Sequence, residues 1–151
     1  MIDKKTFKKA FATPFENAGF VKNGQSWYLD GKDAIIVVNL QKSDWEDMYY
    51  INIGIWLKAL GETSFPRENQ CHLMYRAESL FPDNRELLLL GCSLEKGNLQ
   101  LLNDLTEFIQ NQLIPLLQGF TNENNLKVLM AQGKLNRGLV RLEAKWRLSG
   151  S

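Results

Sequence analysis

The chain has 151 residues, of which 44% are hydrophobic and 23% are charged, as in an ordinary globular protein. Its 18 Lys and Arg residues are balanced by 17 Asp and Glu residues, which excludes the concentrated basic surface of a typical nucleic-acid-binding protein. Two cysteines are too few for a disulfide-stapled secreted scaffold, and no apolar run approaches the roughly 20 residues of a membrane span. We therefore expect a cytoplasmic protein that binds neither nucleic acid nor membrane, with a single domain over residues 1–148 and a disordered tail at 149–151.

The first predicted element is an amphipathic helix over residues 4–18. Its apolar residues recur at spacings of three and four and form one helical face: Phe7, Ala10, Phe11, Phe15 and Ala18. Pro14 is expected to bend the last turns of this helix, and Gly19 is placed to end it.

Three strands are predicted next, over residues 26–29, 34–43 and 48–57. A short turn at Gly31-Lys32 favours a hairpin between the first two strands. A two-residue turn there would place Leu29 opposite Ala34 and Trp27 opposite Ile36. The loop at 44–47 then joins the second strand to the third.

The register of the second hairpin separates an apolar face from a polar one. Closing the loop between Ser43 and Met48 pairs Leu40 with Ile51, Val38 with Ile53, Ile36 with Ile55, Asn39 with Asn52, and Gln41 with Tyr50. The first face is apolar apart from Lys42 at the end of the hairpin and is expected to pack on the helices: Trp27, Ile36, Val38, Leu40, Ile51, Ile53 and Ile55. The opposite face, here called the outer face, is expected to be free: Ser26, Tyr28, Ile35, Val37, Asn39, Gln41, Ser43, Tyr50, Asn52, Gly54 and Trp56.

The second half of the chain is predicted to be mainly helical. A fourth strand is expected over residues 72–81, and a short helix over 84–90 is favoured by helix-forming residues. A long helix begins at Gly97-Asn98 and is expected to kink at Pro115, and another covers 124–132. The tail at 138–148 fits both a strand and a helix, and its helix propensity favours the helix. The predicted fold is α+β, with an N-terminal helix, a meandering antiparallel sheet of about four strands, and C-terminal helices packed on one sheet face.

Catalytic and metal-binding motifs do not stand out in the sequence. The single histidine limits metal sites, which need several ligands at defined spacings, so we expect no metal and no cofactor. Adjacent side chains on a strand point to opposite faces, so Cys71 and His72 should not form a nucleophile–base pair together. One alternative remains, a small-molecule or hydrolytic site at Cys71, His72 and Arg76, with Arg76 holding an anion.

The polar part of the outer face is the stronger candidate for function. Amide side chains are normally depleted at strand centres, yet Asn39, Gln41 and Asn52 occupy them. Tyr50 and Trp56 add aromatic surface, and Trp45 lies at the hairpin tip. Neutral hydrogen-bonding groups mixed with aromatic anchors are typical of a protein-recognition surface. In the alternative interpretation the C-terminal helices cover this face and bury the amides with their hydrogen-bond partners.

Several short motifs resemble one family of uncharacterised bacterial domains. They are Gly19-Phe20 with Trp27, Val38-Asn39-Leu40-Gln41-Lys42-Ser43, Tyr49-Tyr50-Ile51-Asn52-Ile53-Gly54-Ile55, and Cys71-His72 with Arg76. Over the first half of the chain they resemble the domain-of-unknown-function family numbered 4304. The resemblance implies small cytoplasmic bacterial proteins of the kind encoded beside toxin genes. We therefore expect a non-enzymatic immunity protein that occludes the active site of a toxin domain through its outer face, and the oligomeric state stays open.

Overall fold

A six-stranded antiparallel sheet forms the centre of the structure, a computed structural model that describes residues 1–150. Each strand pairs with the next one along the chain, so the sheet is a meander. The strands are β1 (Val21–Asn23), β2 (Ser26–Asp30), β3 (Ala34–Lys42), β4 (Tyr49–Leu57), β5 (Leu73–Arg76) and β6 (Leu139–Val140). The predicted α+β meander is confirmed. The two additional strands, β1 and β6, are too short to show a period-two pattern in the sequence.

Seven α-helices surround one face of this sheet. They are α1 (Lys4–Asn17), α2 (Ala77–Leu80), α3 (Arg85–Gly91), α4 (Leu99–Phe108), α5 (Ile114–Gly119), α6 (Glu123–Ala131) and α7 (Leu142–Ser149). Short 3-10 turns lie at Lys58–Leu60, Glu68–Gln70 and Pro82–Asn84. Helix α1 begins after Asp3, whose carboxylate accepts the Thr6 backbone N–H at 2.8 Å, as an N-cap does.

The core lies between the helices and the apolar sheet face. All seven residues predicted for that face are buried in one hydrophobic cluster. Helix α1 contributes Phe7, Phe11 and Phe15 to the same cluster, and the Phe11 ring lies 5.3 Å from the Trp27 ring. The predicted pairing of β3 with β4 is confirmed at every position, including Asn39 with Asn52 and Gln41 with Tyr50.

The predicted register of the first hairpin is wrong by two residues. Leu29 pairs with Ile36 and Trp27 pairs with Val38, so the faces stay as predicted, because side chains alternate with period two. The turn is wider because Asp33 is bonded elsewhere. Its N–H donates to the Thr121 carbonyl at 3.0 Å, and its carboxylate accepts the Glu123 N–H at the start of α6 at 2.9 Å.

Part of the outer face is covered, so the prediction that this face is free was wrong there. The cover is a loop at residues 61–71, here called the covering loop, and not the C-terminal helices. The Phe65 ring lies edge-on to Tyr28 at 5.0 Å. A small buried cluster forms beneath the loop: Tyr28, Ile35, Val37 and Cys71. Polar and apolar residues alternate poorly in the covering loop, so the sequence offered no periodic signal for this contact.

The fourth predicted strand is shorter than expected. β5 ends at Arg76 and the chain enters α2, whereas the prediction extended the strand to Phe81. The helices predicted around residues 84–90 and 124–132 are confirmed as α3 and α6. Between α4 and α5 the helix widens to a π-turn at Ile109–Leu113, just before Pro115, whose missing N–H interrupts regular helical bonding.

The C-terminal tail is helical, as favoured from its composition. Helix α7 covers Leu142–Ser149, and the preceding residues form β6, which pairs with β5. The tail predicted to be disordered at 149–151 therefore overlaps the helix at Ser149, and residue 151 lies outside the described residues. None of the helices within residues 1–150 is long and apolar enough to cross a membrane.

Candidate partner-binding surface

The uncovered part of the outer face carries a polar group of five side chains, here called the open patch. It consists of Asn39, Gln41, Tyr50, Asn52 and Arg76. β3 and β4 place the first four of these residues as two cross-strand pairs. β5 adds Arg76 opposite Asn52. Four of the five were predicted for a partner-binding face, and Arg76 had been assigned to a different pocket.

Hydrogen bonds and one ring contact fix the side chains of the open patch. Asn52 Nδ2 donates to Gln41 Oε1 at 2.9 Å, and Asn39 Nδ2 donates to Ser26 Oγ at 3.1 Å. The Arg76 guanidinium lies 3.8 Å from the centroid of the Tyr50 ring, a cation–π distance. Gln41 and Arg76 are exposed, whereas Asn52 is buried. The patch is therefore ordered in the free protein and has a solvent-accessible rim.

Trp45 lies at the tip of the β3–β4 hairpin and is 94% exposed. The turn that carries it is hydrogen-bonded, because Ser43 Oγ accepts the backbone N–H groups of Trp45 and Glu46 at 3.3 Å each. Lys42 Nζ also donates to the Glu46 carbonyl at 2.8 Å and lies 3.5 Å from the Asp47 carboxylate. The backbone around Trp45 is thus held in place while the indole has no contact to bury it.

Trp56 was also predicted for the binding surface, but the structure places it beneath the covering loop. Its Nε1 donates to the Gly61 carbonyl at 3.0 Å, and its ring lies 4.4 Å from the His72 ring at a tilt of 46°. Trp56 is half-buried and holds one end of the covering loop against the sheet. It does not join the open patch.

Cys71, His72 and Arg76 are not brought together as one pocket. Cys71 is buried, and burial, with a further contribution from the Glu68 carboxylate, raises the pKa of its thiol to about 12. His72 Nδ1 accepts the Leu57 N–H at 2.9 Å, and burial lowers the pKa of the imidazole. Arg76 turns instead to the Tyr50 ring. The arrangement keeps the thiol protonated and the imidazole neutral, a poor setting for nucleophilic chemistry.

The expectation that Cys71 and His72 point to opposite faces was wrong. β5 begins only at Leu73, so the two residues precede the strand and do not follow its alternation. Cys71 packs from the covering loop onto the apolar residues of the outer face, and the His72 ring contacts Trp56 of the same face.

A charged cavity of about 310 Å³ adjoins the open patch. Its wall includes Tyr50 and Arg76 and side chains of both signs from the hairpin loop, α2, α3 and the segment before α4: Glu46, Asp47, Glu78, Arg85, Glu95 and Lys96. The sequence did not predict this cavity, because its residues come from distant segments and share no spacing. Within residues 1–150, this cavity included, no group of three or more His, Cys, Asp or Glu side chains is placed to hold a metal ion.

A comparison with family models identifies the domain to which these features belong. The model described as Domain of unknown function (DUF4304) matches residues 11–119. The matched span contains the open patch, Trp45 and the covering loop, and it extends beyond the first-half motifs into the α4–α5 region. No curated protein and no solved structure matches the chain significantly. Because the family model covers most of the sequence, the chain belongs to the DUF4304 family.

Proposed function

We propose that this protein is a non-enzymatic binding protein whose protein partner docks on Trp45 and the open patch. The observation that carries the proposal is the 94% exposure of Trp45 on a turn fixed by Ser43 and Lys42. Tryptophan is enriched among the residues that dominate binding free energy. A turn whose backbone is already fixed loses little conformational freedom when a partner buries the indole that it carries.

The open patch extends this anchor into a surface. Tyrosine and arginine are the other residue types enriched at binding hot spots, and here Arg76 lies flat on Tyr50. Gln41 is exposed, and its amide oxygen accepts a hydrogen bond from Asn52. Because this bond fixes the orientation of the amide group, the direction of its N–H groups is fixed as well. The patch therefore offers aromatic area with hydrogen-bonding groups at its edge, as protein interfaces do.

Charge around the anchor defines the chemistry of the partner. The acidic residues next to Trp45 in the hairpin loop are Asp44, Glu46 and Asp47. Of these three carboxylates, only that of Asp47 has a cationic partner within 4.0 Å among the described residues, namely Lys42. A complementary partner would have an apolar pocket for the indole and a basic rim for these carboxylates. We infer that such a partner associates faster at low ionic strength, since exposed charges are screened by salt.

The narrower form of the proposal is that the protein is a bacterial immunity protein and the partner is a toxin domain. A preformed surface that occludes an active site needs no chemistry of its own, and the resemblance of the first-half motifs to toxin-associated proteins supports this choice.

Growth of cells that express the product of the neighbouring open reading frame tests the immunity proposal. We expect co-expression of the wild-type protein to restore growth and co-expression of Trp45→Ala to restore it poorly. Equal rescue by both proteins would contradict occlusion through Trp45.

Site-specific photo-cross-linking tests the docking surface directly. A photoreactive phenylalanine analogue is introduced at Trp45 or at Gln41, in the organism that encodes the protein. The matched control carries it at Trp146, another exposed tryptophan, on α7. We expect one shared cross-linked partner from the first two positions and not from the third. Labelling that is equal at all three positions would contradict the proposed surface.

A further inference from the structure

A second feature lies on the opposite side of the sheet from the open patch. A pocket of about 180 Å³ is walled by four lysines from three elements, together with Trp27 and Tyr49, and is here called the lysine pocket. α1 supplies Lys4 and Lys8, β1 supplies Lys22, and the end of β3 supplies Lys42. No acidic side chain lines it.

The positive charge of the lysine pocket is largely unneutralised. Within residues 1–150, Lys4, Lys8 and Lys22 have no carboxylate oxygen within 4.0 Å, and only Lys42 is paired, with Asp47 at 3.5 Å. Burial lowers the pKa of Lys8, and the charges of Lys4 and Lys22 lower it further. Like charges that line one pocket disfavour each other unless a counter-charge joins them.

Aromatic rings hold two of these ammonium groups at the pocket. Lys8 Nζ lies 5.6 Å from the Tyr49 ring centroid, and Lys22 Nζ lies 5.6 Å from the Trp27 ring centroid. Both distances are within the range of cation–π attraction. The lysine side chains therefore converge on the pocket despite their like charges. If they extended into solvent instead, they would lie farther apart.

Trp27 adds an unused hydrogen-bond donor. The residue is only 4% exposed, and its Nε1–H is buried with no acceptor among the described residues. Buried indole N–H groups normally have a partner. Because Trp27 also lines the lysine pocket, the resonance of this N–H reports on a ligand that binds there.

We propose that the lysine pocket binds a small soluble phosphate ester. Three unpaired ammonium groups match the charge of a phosphate dianion better than that of a single carboxylate. The rings of Trp27 and Tyr49 offer an apolar wall for the organic part of the ligand. This site lies on the core-facing side of the sheet, to which Trp27 and Tyr49 belong, and it shares Lys42 with the turn that carries Trp45.

Titration with phenyl phosphate and with inorganic phosphate tests this assignment. The readout is the Trp27 indole N–H resonance in ¹H–¹⁵N correlation spectra, identified by its loss in Trp27→Phe, at constant ionic strength. We expect a saturable shift with both probes, and tighter binding of phenyl phosphate. If neither probe saturates the protein at a concentration of about 10 mM, its binding free energy is weaker than roughly −3 kcal/mol. That result would overturn the site. Saturation without a shift of the Trp27 resonance would place the ligand outside the lysine pocket and overturn the proposal.

Matched charge variants separate a built site from general attraction. The triple variant Lys4→Gln, Lys8→Gln, Lys22→Gln removes the unpaired cations of the pocket. The control Lys5→Gln, Lys9→Gln, Lys134→Gln removes the same charge from exposed positions outside it. We expect the first to weaken phenyl phosphate binding at least about tenfold and the second to change it less than about twofold. Equal weakening by both, with native circular dichroism spectra, would overturn the proposal.

Discussion

At the scale of single residues, His72 shows how packing fixes a protonation state. Its Nδ1 accepts the Leu57 N–H, an interaction that only the unprotonated nitrogen can make. Its ring also contacts the Trp56 ring, and Trp56 in turn is hydrogen-bonded to the covering loop at Gly61. The chain has only this one histidine. Its protonation is therefore linked to the attachment of the covering loop.

Protonation of His72 should destabilise the fold. Burial lowers the pKa of the folded-state imidazole from its ordinary value of 6.5, so the unfolded chain binds the proton more tightly. The contribution of neutral His72 to stability is therefore present above about pH 6.5 and is lost as the pH falls through and below that value. We expect the free energy of unfolding in urea to decrease between about pH 7.5 and about pH 5.5. His72→Asn, which keeps a hydrogen-bond acceptor, should show a smaller decrease, and an equal decrease would contradict this linkage.

Cys71 should be inert to thiol reagents in the folded protein. Its side chain is buried, and burial raises the pKa of the thiol to about 12, so little thiolate forms near neutral pH. In a Cys92→Ala variant, we expect Ellman's reagent to label Cys71 slowly in the native state and completely in urea. Rapid native labelling would instead support the hydrolytic alternative, with Cys71 as its nucleophile.

At the scale of elements, the covering loop packs on β4 through a glycine. A Cβ added at Gly54 would lie 2.8 Å from Cys71 Sγ and 3.2 Å from the Glu68 carbonyl. Both distances are shorter than van der Waals contact, and neither partner is a free side-chain end. The close approach of the loop to the sheet therefore requires glycine at this position.

Gly54→Ala should accordingly destabilise the protein by about 1–3 kcal/mol, the usual cost of overpacking a well-packed site. Urea unfolding measures the loss. The control is Gly24→Ala, where an added Cβ meets nothing within 4 Å although the positive φ imposes strain. In the Gly54→Ala, Cys71→Ala double variant, removal of the sulfur should recover part of the loss. Additive losses would show that the contact with Cys71 is not the cause.

At the scale of the whole molecule, regular strands were predictable and irregular contacts were not. The alternation of apolar and polar residues in β3 and β4 determined their register, and with it the pairs of Asn39 with Asn52 and Gln41 with Tyr50. The covering loop has no such periodicity, so the burial of Trp56 beneath it could not be foreseen. Arg76 reaches Tyr50 only because β5 pairs with β4, a tertiary neighbour that no local spacing predicts.

The lysine pocket shows the same limit for charge. Lys4 and Lys8 are close in the sequence, whereas Lys22 and Lys42 come from separate segments, so no local spacing links the four. The structure brings members of these separate groups around Trp27. A local cluster of charge thus predicts little about function until the fold shows which other charges join it.

The central claim is that Trp45 anchors a protein partner. The most direct test is calorimetric titration of two matched tryptophan variants with the partner that photo-cross-linking identifies. Trp45→Ala removes the anchor, and Trp146→Ala removes another exposed indole, 59% accessible, on α7. We predict that Trp45→Ala weakens binding by about 2 kcal/mol or more, whereas Trp146→Ala changes it by less than about 0.5 kcal/mol. Wild-type affinity in folded Trp45→Ala would contradict the account.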